Sequence, residues 1–122
     1  MTIAVKYYIV AVAVATTLGG FEQAVLLSVM RLRDDAYGRT ILNEVQQRLR
    51  RDVTAGAVQA TLARLEAKGL LSSRLGPGTE IRAGRPRRFY EVSGAGVRAL
   101  TDARGAVSSL WRGYRRPKRG YA

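Results

Sequence analysis

This chain predicts a mainly α fold with one small β-hairpin, and three observations lead there. Apolar residues recur at helical spacing in three successive segments joined by connectors of a few residues. Beyond Gly69 the pattern changes to two short candidate strands, the second rich in aromatic and branched residues. They are parted by Gly76-Pro77-Gly78 and by Ala83-Gly84-Arg85-Pro86. A last helical repeat then runs from Ser93 to about Trp111. At 122 residues the chain is long enough for one domain with a modest core.

Taken in order, residues 1–18 are an apolar N-terminal extension whose role the residues leave open. Apart from Lys6, Thr2, Thr16 and Thr17 it is apolar, yet too short and interrupted for a membrane span. Ala11-Val12-Ala13 and Ala13-Val14-Ala15 look loosely like signal-peptidase sites. The other readings are an element packed on the domain or on a dimer partner, or a translation start beyond the segment.

Residues 19–92 form the expected domain. Gly19-Gly20 breaks the chain, and Phe21, Val25, Val29 and Leu32 then make a helical stripe widened by Leu26 and Met30. Asp34-Asp35 stops that helix and offers an N-cap for the next, in which Tyr37, Ile41, Val45 and Leu49 repeat every four residues. Arg48, Arg50 and Arg51 give this second helix a basic end, suited to the helix macrodipole. The third helix has a clear start and stop. Thr54 is a good N-cap, and Lys68 in the last turn is followed by Gly69. Val58, Leu62 and Leu65 make its apolar stripe. Its opposite face carries only small residues, Gly56, Ala60, Ala63 and Ala67, flanked by Gln59 and Arg64. A solvated helix normally carries charge there, so a face this bare suits close approach to another surface.

The hairpin is expected from Leu70–Leu75 and Arg87–Val92. Its long tip places Arg82, Arg85, Arg87 and Arg88 within seven residues, beside glycines and a proline that keep the backbone low. Residues 93–113 form the last helix, capped by Ser93. Val97, Leu100, Ala103, Val107, Leu110 and Trp111 fall near a three-four repeat, read as a dimerisation seam because the domain is nearly complete without it. Residues 114–122 form a basic tail expected to be disordered.

Charge and composition narrow the function. The 21 Lys+Arg against 9 Asp+Glu leave a net charge of +12, which calls for an anionic partner, most often nucleic acid. No cysteine and no histidine are present, which removes disulfides, thiol nucleophiles, the commonest general base and the commonest metal ligands. There is no Walker A loop and no dinucleotide fingerprint. Neither enzymatic activity nor a cofactor or metal site is expected.

Three helices, a basic hairpin and a closing helix are the order of a winged helix-turn-helix with a C-terminal dimerisation helix. The residues also resemble the PadR family of bacterial transcriptional regulators over about Leu18 to Gly113. The fragments that carry the likeness, in order, are LGGFEQAVLLSVMRL, AYGRTILNEV, GAVQATLARLEAKGLL and RAGRPRRFYEVSGAGVRAL. The resemblance implies a cytoplasmic homodimer that binds an operator in double-stranded DNA, usually as a repressor. The helix from Thr54 would be the recognition helix and the loop from Arg82 to Arg88 the wing. Gly56 and Ala60 would lie against base edges, while Gln59, Thr54 and Thr61 supply polar groups that read bases. Arg64 would contact phosphate or pair with an acidic residue of its own chain.

Two departures matter. Many relatives carry tyrosine where this chain has Gln59, although glutamine can read adenine. Many also carry a long C-terminal domain, whereas here one helix and a tail remain, so any small aromatic effector would have to use the dimer interface near Trp111. The competing classes are a winged-helix protein-interaction module, disfavoured by the basic wing, and a basic RNA-binding protein, disfavoured by the scarcity of exposed aromatic residues on the hairpin.

Overall fold

The computed structural model describes residues 18–76 and 86–117. The rest of the N-terminal extension, the wing tip with Arg82 and Arg85, and the end of the basic tail lie outside the described residues. The elements are α1 (Gly20–Leu32), a 3-10 turn (Arg33–Asp35), α2 (Gly38–Leu49), α3 (Ala55–Ala67), β1 (Leu71–Leu75), β2 (Arg88–Val92) and α4 (Gly94–Trp111). Leu18–Leu100 is one compact unit, and the described residues from Thr101 onward belong to a second.

In α1 the amide of Gly19 donates to the Glu22 carboxylate at 3.1 Å, which satisfies one of the orphan donors of the first turn. Val25, Leu26 and Val29 are buried, with Phe21 and Leu32 packed at the margin. Met30 does not widen this stripe and is 44% exposed. Each residue turns the helix by about 100°, and Met30 lies one such step beyond the edge set by Val29.

The start of α2 differs from the expected Asp cap. Its N-cap is Tyr37, and Thr40 reaches back so that the Tyr37 amide donates to its hydroxyl oxygen at 3.0 Å. The aspartates instead belong to the 3-10 turn. Ile41 and Val45 are fully buried, while Leu49 is 37% exposed. A strict four-residue repeat drifts by about 40° per step around a 3.6-residue helix, which carries Leu49 off the core face. The α2–α3 connection is held by Gln46, whose amide donates to the Val53 carbonyl at 2.8 Å.

Thr54 caps α3 as its sequence position implies, accepting from the Ala57 amide at 3.0 Å. Val58, Leu62 and Leu65 are each at most 1% exposed. Burying a side chain of this size is worth about 1.5–3 kcal/mol, so the three together fix the rotation of α3 about its axis. That rotation is what turns Gly56, Gln59, Ala60 and Ala63 outward.

Gly69, at φ 77°, lets the chain leave α3 and enter β1. The strands pair antiparallel, from Leu71 opposite Val92 to Leu75 opposite Arg88. The hairpin is anchored from a third side, where Tyr37 bridges Phe89 and the Tyr90 amide donates to the Ala36 carbonyl at 2.8 Å. Ser93 joins hairpin and helix. Its hydroxyl donates to the Gly69 carbonyl at 2.7 Å and accepts from the Gly96 amide at 3.0 Å, capping α4. The first turn of α4 sits so close to the Leu70 carbonyl and Val92 that a Cβ at Gly96 would collide with both.

Two carboxylates tie the helices together from outside. Glu44 accepts from Arg48 on its own helix at 2.7 Å and from Arg31 of α1 at 3.3 Å. Glu22 accepts from Lys68 at 3.0 Å and Arg64 at 3.3 Å, which links the start of α1 to the end of α3. Both titrate below the usual value of 4.5. For Glu22, burial raises the pKa, but the bonds from Lys68, the Gly19 amide and Arg64 together outweigh it. For Glu44, the bond from Arg48 dominates, with Arg31 adding to it against a desolvation cost.

A carboxyl depressed in the folded state contributes stability that is fully present above its unfolded value and is lost as pH falls through the folded one. The denaturant midpoint should therefore drop as pH falls below about 4.5. A Glu22→Gln/Glu44→Gln variant should show a shallower drop. Equal pH profiles for the two proteins would show that these contacts do not couple protonation to folding.

Candidate nucleic-acid interface

The outward face of α3 is built mainly of small residues. Ala55, Gly56, Ala60 and Ala63 are exposed and carry no side chain longer than a methyl group. Thr54 is exposed at the start of this face, with its hydroxyl already engaged in capping α3. Thr61 is not on this face. It is 3% exposed, because three residues after Val58 and four before Leu65 is an inward position, and its hydroxyl accepts from Arg64 at 3.4 Å. Spacing alone carried that signal. Arg64 is half exposed and held by Glu22, so its charge is already met within the chain.

Beside this face stands the root of the hairpin. The Arg87 guanidinium lies 4.4 Å from the centre of the Tyr37 ring, a cation–π contact that holds it against the start of α2. Tyr37 in turn meets Phe89 edge to face at 5.6 Å, and the Arg74 guanidinium lies 5.3 Å from the Phe89 ring centre. Arg88 donates to the Ser73 hydroxyl at 3.0 Å, and that hydroxyl donates to Glu66 at 2.7 Å. Tyr90 is half-buried between these groups. Burial, and secondarily the Glu66 charge, push its phenol above its usual range, and Arg88 pulls the other way. Tyr37, Gly38, Gln59, Arg87, Arg88 and Tyr90 together line a cleft between α2, α3 and the hairpin. The sequence marked Gln59, Arg87 and Arg88 separately, read Tyr37 only as part of the apolar repeat of the second helix and did not mark Gly38, because only the tertiary fold brings them together.

The expected dimer residues fall into two groups. Leu100 is 9% exposed and belongs to the hydrophobic core of its own chain, while Val97 is 41% exposed. Val107, Leu110 and Trp111 are 51%, 80% and 67% exposed. With Tyr114 they follow at steps of three, one and three residues, an apolar stripe exposed among the described residues. Trp111 and Tyr114 meet edge to face at 5.9 Å.

Among the described residues no cluster of acidic or other ligating side chains could hold a metal ion, and no helix is long and apolar enough to cross a membrane.

A family model described as the transcriptional regulator PadR-like family matches residues 26–102. Among solved structures, the chain is similar to a PadR family transcription regulator from Clostridium difficile. The identity is 22%, covering 76% of this chain and 93% of that one, with a TM-score of 0.59. A PadR family regulator from Eggerthella lenta is similar at 23% identity, 90% and 88% coverage and a TM-score of 0.57. RosR from H. salinarum is similar at 22% identity, 83% and 84% coverage and a TM-score of 0.62. At these identities the structures establish the fold. No match was found among curated proteins.

Proposed function

The chain belongs to the PadR-like family of transcriptional regulators, and on that premise we propose that it is a homodimeric repressor that binds an operator in double-stranded DNA. The observation that carries this is the bare outward face of α3 standing beside a hairpin root that bears Arg87 and Arg88. A leading face of small residues lets the backbone of α3 approach the base edges closely in the major groove, and Gly56, Ala60 and Ala63 provide one. The wing arginines, Arg82, Arg85, Arg87 and Arg88, supply phosphate contacts that set affinity and register.

A single α3 offers few base-reading groups, so specificity has to come from the spacing of two half-sites and from DNA shape. The apolar stripe from Val107 to Tyr114 supplies the contact between two copies. A small aromatic effector would meet Trp111 there and change the spacing between the two recognition helices. Occupying the operator then blocks transcription from it.

A competition assay tests the nucleic-acid claim. Labelled mixed-sequence duplex should be displaced by unlabelled duplex at much lower concentration than by single-stranded or hairpin RNA. Equal or stronger displacement by RNA would favour an RNA-binding protein instead.

A further inference from the structure

We infer that Gln59, acting with Arg87, seats a backbone phosphate of the duplex at the root of the wing and does not read a base; this rests on the reading of α3 and the hairpin as the duplex-binding surface. Gln59 leaves α3 on the outward face, but its side chain is turned aside. The Gln59 amide nitrogen lies over the first turn of α2, so near that a Cβ on Gly38 would stand 2.8 Å from it. A glutamine that reads adenine must present both its amide nitrogen and its oxygen squarely to the base edge. Here the nitrogen lies against Gly38, and both residues line the cleft with Tyr37, Arg87, Arg88 and Tyr90.

The chemistry of that cleft suits an anion. Its described lining contains two guanidiniums, one carboxamide and two phenols. Arg87 is fixed there by its stacking on Tyr37, so little side-chain entropy remains to be given up when it meets a ligand. The positive end of α2 adds to the same field. A duplex whose major groove receives α3 runs its backbone past this edge, between the recognition helix and the wing. If Gln59 is spent on a phosphate, base contacts on α3 fall to the methyl groups of Ala60 and Ala63, which suit thymine methyls, and to Thr54.

Gly38 makes the inference testable without disturbing the fold. It stands in the first turn of α2, and the atom that an added methyl group would meet is the free end of the Gln59 side chain, which can swing away. Alanine is also the better helix former, so Gly38→Ala should fold at least as stably as the wild type. The experiment measures affinity and salt dependence of wild type, Gly38→Ala, Gln59→Ala and Gln59→Lys. Each is tested on a mixed-sequence duplex and on a duplex selected by the wild-type protein from a random library.

Gln59→Ala and Gly38→Ala should each weaken both duplexes by the same factor, about three- to tenfold, with the salt slope unchanged because glutamine carries no charge. Gln59→Lys should bind both duplexes at least as tightly as the wild type, with a slope steeper by about one unit for each phosphate the lysine meets. The inference is overturned if Gln59→Ala loses affinity only for the selected duplex and relaxes one base position. Wild-type binding by Gly38→Ala would overturn it as well. A wild-type protein that binds neither duplex would instead sink the underlying reading, and the two failures are distinct.

Discussion

Val107→Glu is expected to produce a folded monomer with most of its affinity for duplex DNA gone. Val107 is 51% exposed on the single chain, so glutamate there meets water in the monomer and costs the fold little. In a dimer closed over the stripe from Val107 to Tyr114 the same carboxylate would be buried without a partner, a penalty that prevents association. Two linked half-sites bind about a hundredfold or more tighter than one by effective concentration, and that advantage disappears with the dimer.

Leu100→Glu should behave differently, although both positions lie on the same helical repeat. Leu100 is in the core of its own domain, and an unpaired charge there costs several kcal/mol, a large part of the roughly 5–15 kcal/mol that typically holds a domain together. Light scattering and circular dichroism separate the outcomes. Val107→Glu should give a helical monomer, whereas Leu100→Glu should give a chain with much less helix. A Val107→Glu protein that remains dimeric would place the seam between copies elsewhere.

Arg85→Ala/Arg87→Ala is the second large effect. Each arginine is read as a ligand to one phosphate, and in a dimer the double variant removes both from each wing. The slope of log affinity against log salt should flatten by about 0.9 for every phosphate that is no longer neutralised, and affinity at moderate salt should fall by at least about tenfold on every duplex. Arg87 carries the larger share, because its removal also strips the Tyr37 ring of its partner and empties one wall of the cleft beside Gln59. The reduction should be equal for selected and mixed-sequence DNA, since phosphates carry no sequence. An unchanged slope would show that these guanidiniums do not face the duplex.

The parts of this structure that are local in the chain were legible in the sequence. Thr54 caps α3, Ser93 caps α4, Gly69 ends α3 with a positive φ, and the hairpin strands fall within one residue of their expected bounds. These features depend on a residue's own backbone preferences or on neighbours three or four positions away.

Most of what escaped depends on distant partners. The start of α2 is the local exception, where Thr40 takes the capping role that the Asp34-Asp35 pair offers in the sequence. Leu100 looks like part of a continuous seam, because spacing alone does not separate the buried part of the repeat on this helix from the exposed part. Gly96 and Gly38 show nothing in sequence that marks them as points of close approach. Each is small because another element crosses it, the Leu70 carbonyl in one case and the Gln59 amide in the other. Glu22 reads as an ordinary first-turn carboxylate, while the fold pairs it with both Arg64 and Lys68. That pairing leaves the far end of α3 less positive than its composition suggests.

A dimer that reads duplex DNA through two copies of α3 should select its own binding site. Selection of duplexes from a random library by the wild-type protein, followed by hydroxyl-radical footprinting on the enriched sequence, tests this most directly. The expected result is an inverted repeat with half-sites about one helical turn apart, or a multiple of that, and protected sugars flanking each half-site where the wings lie. A library that yields no enriched sequence, or a single unrepeated site protected by one monomer, would contradict it.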